Sequence, residues 1–434
     1  MKKKYLLLLI AGFALAGCQE TININDVYNP DGYTMKELEA ENITVSFYYN
    51  FGKEEMNLNS GMYATGSSTS LKVDTIAKNS KVSRPERDPL RVNYEFAGWH
   101  TKADEDSPFD FNANLIRNTI LYAHWNKTQE DEFVEPEYVE PSHIDDSIDT
   151  LVSITGVLNM PISGTSVTVA NGSKSRLNRN KEDVVDCLNY KIKSGVTLTA
   201  SFDGTSVISY SATDGENVQN GTISVSTNNF NGGNSTYDGK AKNYEEKDVA
   251  FLDHRIMLAG SSSMENWKNS SEDLKPMITY NHGIGGTTVG EWKNAYNARL
   301  VYPYSPKIVV YYVGVNDLKD SGDGNVTGPS LQAMFDDVHA HLPNTQIYYV
   351  LINKLPGFLN RQAEFEKCNN KALEYAESHS YVTCINAGKD LVKENGNPNQ
   401  AFFLMDGIHM SLAGYAIWGQ VIKSTLIADF KKNA

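Results

Sequence analysis

The sequence predicts an α/β protein in which two small β-rich domains precede a domain built on a five-stranded parallel sheet, and three observations predict it. The chain has 434 residues, too many for one ordinary core, which favours several domains of about 100–200 residues or fewer each. From Arg255 onward, short apolar runs alternate with helical stretches, the texture of a parallel sheet covered by helices on both faces. Between about 148 and 248 the texture differs: Thr and Ser alternate with apolar residues, as in strands that bury only one face.

The first 18 residues read as an export signal. Lys2, Lys3 and Lys4 give a basic start, Tyr5 to Leu15 an apolar core, and small residues precede Cys18. Leu15-Ala16-Gly17-Cys18 resembles a bacterial lipobox, which implies cleavage before Cys18, lipidation of its thiol and amine, and an extracytoplasmic protein held to the membrane by acyl chains. No later segment offers about 18 consecutive apolar residues, so no further span is expected. The other cysteines, Cys187, Cys368 and Cys384, are odd in number and lack CxxC spacing, which argues against a disulfide framework or a zinc site and for buried thiols. A formal net charge of −14 argues against a nucleic-acid partner, because phosphate neutralisation needs clustered Lys and Arg.

Residues 19–42 are polar and read as a stalk. The alternating segment Ile43-Thr44-Val45-Ser46-Phe47-Tyr48 then opens a module over 43–126. Val82-Ser83-Arg84-Pro85, Tyr94-Glu95-Phe96-Ala97-Gly98-Trp99, Phe109-Asp110-Phe111 and Ile120-Leu121-Tyr122-Ala123-His124-Trp125 resemble the internalin-type B-repeat, a small β-grasp module of bacterial surface proteins. Phe96, Trp99, Leu121, Tyr122 and Trp125 are expected to pack as its core rather than to form a sugar-binding platform, since so small a domain needs a dense interior. Residues 127–147 interleave Glu130, Asp131, Glu132, Glu135, Glu137 and Glu140 with Pro136 and Pro141, an acidic, stiffened linker read as solvated spacing rather than a calcium loop.

Residues 148–250 form the second β-rich, sandwich-like domain. Its strands are expected around Thr165–Val169, Val196–Ala200 and Thr222–Ser226, with one short helix at Glu182–Leu188. No motif assigns it a function.

Residues 251–434 carry the chemistry. Ile256–Ala259, Met277–Tyr280, Lys307–Val313, Gln346–Ile352 and Tyr381–Ile385 read as five strands, with helices at about 329–342, 361–378 and 411–430. In open parallel sheets ligands bind beyond the carboxyl ends of the strands. Polar blocks stand there: Gly260-Ser261-Ser262-Ser263-Met264 after the first strand, Asn281-His282-Gly283-Ile284-Gly285-Gly286-Thr287 after the second and Gly314-Val315-Asn316-Asp317 after the third. Asp406-Gly407-Ile408-His409 lies near the C-terminus. A serine hydroxyl needs a base to become a nucleophile, histidine suits that role near neutral pH, and a carboxylate three residues away can orient the imidazole.

Together and in this order the four blocks resemble those of the SGNH (GDSL-like) hydrolases. The resemblance implies a flavodoxin-like fold and a serine esterase that needs no metal or other cofactor. It makes Ser262 the nucleophile, His409 the general base and then acid, and Asp406 the orienting carboxylate. The backbone of Ser262, the backbone of Gly286 and the side chain of Asn316 would form the oxyanion hole. Ser261 stands where the family usually has Asp; Ser262 is preferred over Ser261 and Ser263 because it aligns with the serine of Gly-Asp-Ser. Trp267 is a candidate wall of the acyl site or a core aromatic.

The resemblance leaves the ester open. A surface anchor and β-rich modules beside the hydrolase point to an extracellular polymer, so the leading expectation is removal of O-acetyl groups from carbohydrate. A lipase or lysophospholipase, or an adhesin or glycan-binding protein with an accessory hydrolase domain, are the alternatives.

Overall fold

The computed structural model describes residues 41–51, 70–128, 135–230, 235–250 and 254–433. The export signal, Cys18 and nearly all of the stalk lie outside them. Among the described residues no helix is long and apolar enough to cross a membrane.

The first sheet comprises β1 (Asn42–Tyr48), β2 (Ser70–Ala77), β3 (Tyr94–His100) and β4 (Thr119–Lys127), in the order β2-β1-β4-β3. Strand β1 runs antiparallel to β2 and parallel to β4. Its alternating sequence buries Ile43, Val45 and Phe47 on one face. Trp99 and Leu121 are buried and Trp99 meets Phe47 edge-on at 5.0 Å, so these anchors serve packing. Phe96 meets Trp125 at 5.7 Å and Tyr122 is half-buried beside Tyr48.

The chain from Trp125 onward belongs to a second compact unit. Seven strands come first: β5 (Val152–Val157), β6 (Met160–Pro161), β7 (Ser166–Ala170), β8 (Leu188–Ile192), β9 (Thr197–Phe202), β10 (Val207–Thr213) and β11 (Val218–Asn228). They form a three-stranded sheet, β6-β5-β8, and a four-stranded one, β7-β11-β10-β9. Val157, Val167, Val169, Phe202, Ile208, Ile223 and Val225 share one core, joined by Leu177 of helix α1 (Ser173–Arg179). The helix expected at 182–188 is instead a single 3-10 turn, Val185–Cys187, because Leu188 already enters β8. The expected solvated linker also differs at its end. Glu135 pairs with Lys307, both carrying side chains less than 15% exposed, and Tyr138 stacks on His254 at 3.7 Å, so residues from 135 onward dock on the protein.

The third part of the chain is the parallel sheet: β12 (Ile256–Gly260), β13 (Thr279–Asn281), β14 (Ile308–Tyr312), β15 (Gln346–Val350) and β16 (Val382–Ile385). Its order, β13-β12-β14-β15-β16, is all parallel. This is the doubly wound arrangement of the flavodoxin-like class, and the connection reverses direction between β12 and β14, where a crevice must open at the carboxyl ends. Every residue of β12 and β14 is buried, which explains their unbroken apolar sequence. Neighbouring β14 tyrosines face opposite layers: Tyr311 meets Trp292 at 5.9 Å, whereas Tyr312 meets Trp418 at 5.2 Å. The helices α2 (Ser235–Lys247), α3 (Ser262–Glu265), α4 (Gly324–His341), α5 (Gln362–Ser378) and α6 (Leu412–Asn433) accompany the sheet. Cys368 and Cys384 remain thiols, each pushed up to about 12 by burial.

Candidate active site

Strand β12 ends at Gly260 with φ +130°, and a Cβ there would crowd the backbone of Tyr312. The next amide, of Ser261, donates to the Tyr312 carbonyl at 2.9 Å, and α3 begins at Ser262. Three serines in a row thus receive different fates. Ser261 and Ser263 are buried, while the half-buried Ser262 turns its hydroxyl to His409, with 3.0 Å between Oγ and Nε2. The backbone amide of Ser262 lies in the first turn, where helical amides have no intrahelical acceptor.

His409 belongs to a tight loop before α6. Its Nδ1 lies 2.6 Å from Oδ2 of Asp406, while Oδ1 of the same carboxylate accepts the amides of Ile408 at 2.8 Å and His409 at 3.0 Å. Partial burial would raise the Asp406 pKa, but those two amides and the imidazole outweigh it and hold the carboxyl below the usual carboxylate range. An ionised Asp406 assigns the ring proton to Nδ1 and leaves Nε2 to accept from Ser262. Two devices hold the loop. Ser411 is buried and its Oγ accepts the Gly414 amide at 3.3 Å, capping α6. The Gly357 amide donates to the Gly407 carbonyl at 2.9 Å; Gly407 has φ +65°, and a Cβ on it would come 2.6 Å from the Gly357 nitrogen.

The third segment runs from Asn281 to Thr287. Gly286 has φ +92°, and a Cβ built on its neighbour Gly285 would lie 3.3 Å from Cβ of Ser262, so this loop flanks the serine. After β14, Gly314 has φ +117° and starts the helical turn Val315–Leu318. Asn316 there donates one amide hydrogen from Nδ2 to the Thr287 carbonyl at 3.0 Å, leaving the second for another acceptor. Asp317 accepts the Val289 amide at 3.2 Å; burial pushes its carboxyl up to about 6 against the pull of that amide. Ser262, His409 and Asp406 thus form one hydrogen-bonded series, with Gly285 beside the serine and Asn316 tied to Thr287 at the end of the same glycine loop. Such a set can take a proton from the serine and neutralise negative charge developing on a bound carbonyl oxygen.

Several residues that shape this point went unread in the sequence. Helix α2 falls inside the stretch 148–250 read as β-rich, yet its partners are the loops of the parallel sheet. Lys240 pairs with Glu265 at 2.7 Å, and Glu265 accepts the Gly285 amide. Tyr244 donates to the Gly283 carbonyl at 2.8 Å. Just beyond α2, Asp248 lies 2.8 Å from Nε2 of the fully buried His282, whose Nδ1 lies 2.8 Å from the Leu300 carbonyl. The buried Arg299 joins Glu245 at 2.8 Å and Asp238 at 3.0 Å. Trp267 does not wall the site: it is 1% exposed, packs on Tyr415 and Trp418, and donates from Nε1 to Asp273.

The match of this domain to a hydrolase family makes it an ester hydrolase. Residues 227–417 match the GDSL-like Lipase/Acylhydrolase family, and residues 44–124 match the Listeria-Bacteroides repeat domain. Among solved structures, the chain is similar to a GDSL-like lipase from Bacteroides thetaiotaomicron (20% identity, 45% of this chain and 98% of that one, TM-score 0.36). It is also similar to a family 3 carbohydrate esterase from Clostridium thermocellum (17%, 42% and 100%, TM-score 0.35). A third similar structure is a lipase/acylhydrolase from Enterococcus faecalis (18%, 40% and 96%, TM-score 0.33). No curated protein gives a significant match.

Proposed function

We propose that the chain is a surface-anchored serine esterase that removes short acyl groups, O-acetyl groups of carbohydrate foremost, through Ser262, His409 and Asp406. The observation that carries this reading is the hydrogen-bonded series from Ser262 Oγ to His409 Nε2, at 3.0 Å, and from His409 Nδ1 to Asp406, at 2.6 Å. His409 takes the serine proton as Oγ attacks the ester carbonyl, and Asp406 stabilises the resulting imidazolium. The amides of Ser262 and Gly286 and the free amide hydrogen of Asn316 bind the oxyanion. Collapse expels the alcohol, which receives the proton from His409; water then enters by the reverse sequence, releases the carboxylic acid and restores the serine.

The anchor rests on Lys2 to Cys18, and the location on the extracytoplasmic side follows from it. The carbohydrate substrate rests on architecture, since β-rich modules ahead of the esterase suit a polymer. A second reading, a lipidic ester, fits the same three residues, since the matched family covers lipases as well as other acylhydrolases. Full-length protein in detergent, assayed with p-nitrophenyl esters of increasing chain length and with acetylated polysaccharides, separates them. Acetate release that disappears in Ser262→Ala supports the first. Turnover confined to long acyl chains replaces it with the second, and activity that survives Ser262→Ala removes both.

A further inference from the structure

One side chain outside the four sequence blocks reaches the proposed oxyanion-binding loop. Tyr237, in the first turn of α2, is half-buried, and its ring lies against Gly286. A Cβ built on Gly286 would stand 2.8 Å from Cζ of Tyr237, 3.2 Å from Cε1, and nearer still to the hydroxyl. The phenol therefore occupies the space that any side chain at 286 would take. Contact this close requires glycine there twice over, once for the φ of +92° and once for the ring. No described residue hydrogen-bonds the Tyr237 hydroxyl, so the ring is not directed to Gly286 by a polar partner. It is directed by its helix, which is fixed to the same loop through Lys240 with Glu265 and Tyr244 with the Gly283 carbonyl, and to Arg299 through Asp238 and Glu245.

The order of groups across the site gives the ring a role. His409 lies on one side of Ser262, bonded to Oγ; Gly285 flanks the serine, and Tyr237 covers the adjoining Gly286. An ester whose carbonyl oxygen points at the Gly286 amide places its leaving oxygen toward His409, the group that must protonate it. The acyl chain, the third substituent on that carbon, then leaves away from His409 and passes beside the Gly286 loop, which the phenol covers.

We propose that Tyr237 is a substrate-contacting residue that bounds the acyl subsite and restricts the enzyme to short acyl groups. The inference rests on the reading of Ser262 as nucleophile, and its consequence is that specificity is set by a helix reaching in from the junction with the β-rich domain. Chemically, the site then takes esters with a large, variable alcohol and a small acid, acetate first.

The test compares full-length wild type, Tyr237→Ala and Tyr237→Phe in detergent. Each is labelled with ethyl p-nitrophenyl phosphonates bearing a methyl or a hexyl group on phosphorus; Ser262 Oγ bonds to phosphorus, p-nitrophenolate leaves, and intact mass follows the adduct. The hexyl-to-methyl ratio of labelling rates is independent of the folded fraction, so partial unfolding of a variant does not disturb it. Tyr237→Ala should raise that ratio at least tenfold, and Tyr237→Phe, which keeps the ring, should leave it within twofold. A parallel series with the methyl group fixed and the leaving phenol enlarged should not change. An unchanged ratio in Tyr237→Ala, or a change appearing only in the leaving-group series, overturns the inference while leaving the esterase reading intact. A wild-type protein that forms no adduct at Ser262 overturns both.

Discussion

Replacing Asp406 by Asn tests the proposed chemistry with little change in shape. In the native loop the two carboxylate oxygens have separate duties: Oδ1 accepts the Ile408 and His409 amides, and Oδ2 faces His409 Nδ1. An asparagine must turn its carbonyl oxygen to the two amides, since its NH2 cannot accept from them, and so presents donors to Nδ1. The ring proton then moves to Nε2, which can no longer take the serine proton. Losing a charge-assisted hydrogen bond costs about 1.5–3 kcal/mol. Losing the carboxylate's attraction for the imidazolium costs up to about 4 kcal/mol at an effective dielectric of 20, less where solvent screens it. The Asp406 side chain is 42% exposed, so the lower part of that range applies. A barrier rise of roughly 2.5–5 kcal/mol corresponds to a fall in kcat of about 10² to 5 × 10³. Steady-state hydrolysis of p-nitrophenyl acetate measures it, with thermal melting alongside, and the melting temperature should barely move because both amide bonds survive. A kcat within tenfold of wild type would refute the assignment of Asp406 as the group that sets the tautomer.

Three further outcomes are expected. Asn316→Ala should lower kcat by about 10² to 10³ with little effect on KM, as loss of one oxyanion donor does; initial-rate kinetics would show it, and a pure KM effect would contradict the role. Arg299→Ala should destabilise the protein by roughly 3–5 kcal/mol in urea unfolding, because it strands the buried Glu245. Asp317 binds a proton more tightly when folded, with its pKa raised from 3.8 to about 6. Between those values the folded state holds more protons than the unfolded, so its contribution is full below pH 4 and is lost as pH rises through 6, by roughly 3 kcal/mol. Asp317→Asn should remove that part of the decline, seen as a flatter plot of unfolding free energy from pH 4 to 7; an unchanged slope would rule it out.

The parallel sheet was legible because its strands are buried on both faces and leave no choice but consecutive apolar residues: Ile256 to Gly260 and Ile308 to Tyr312 announce themselves. The polar blocks were legible because they follow those strands directly. Helix α2 was not. Ser-Thr-Tyr-Asp-Gly-Lys-Ala-Lys-Asn-Tyr-Glu-Glu-Lys has no apolar stripe at helical spacing, since it is held by ion pairs and hydroxyls rather than by a greasy face. Periodicity cannot find such an element, and with it were lost Tyr237, Lys240 and Asp248. The helix expected at 182–188 fails for the opposite reason: Val184 and Val185 suit a turn entering a strand as well as a helix, and the pairing of β8 with β5 decides it.

The contact between Gly357 and Gly407 makes the histidine loop sensitive to a distant position. Each glycine is boxed in by the other's backbone, with a Cβ on Gly357 falling 2.6 Å from the Asp406 carbonyl oxygen and a Cβ on Gly407 falling 2.6 Å from the Gly357 nitrogen. A methyl group on either residue displaces the loop that carries His409. Fifty positions apart in the sequence, the two glycines bear on one loop, so a side chain at either should disturb the placing of His409.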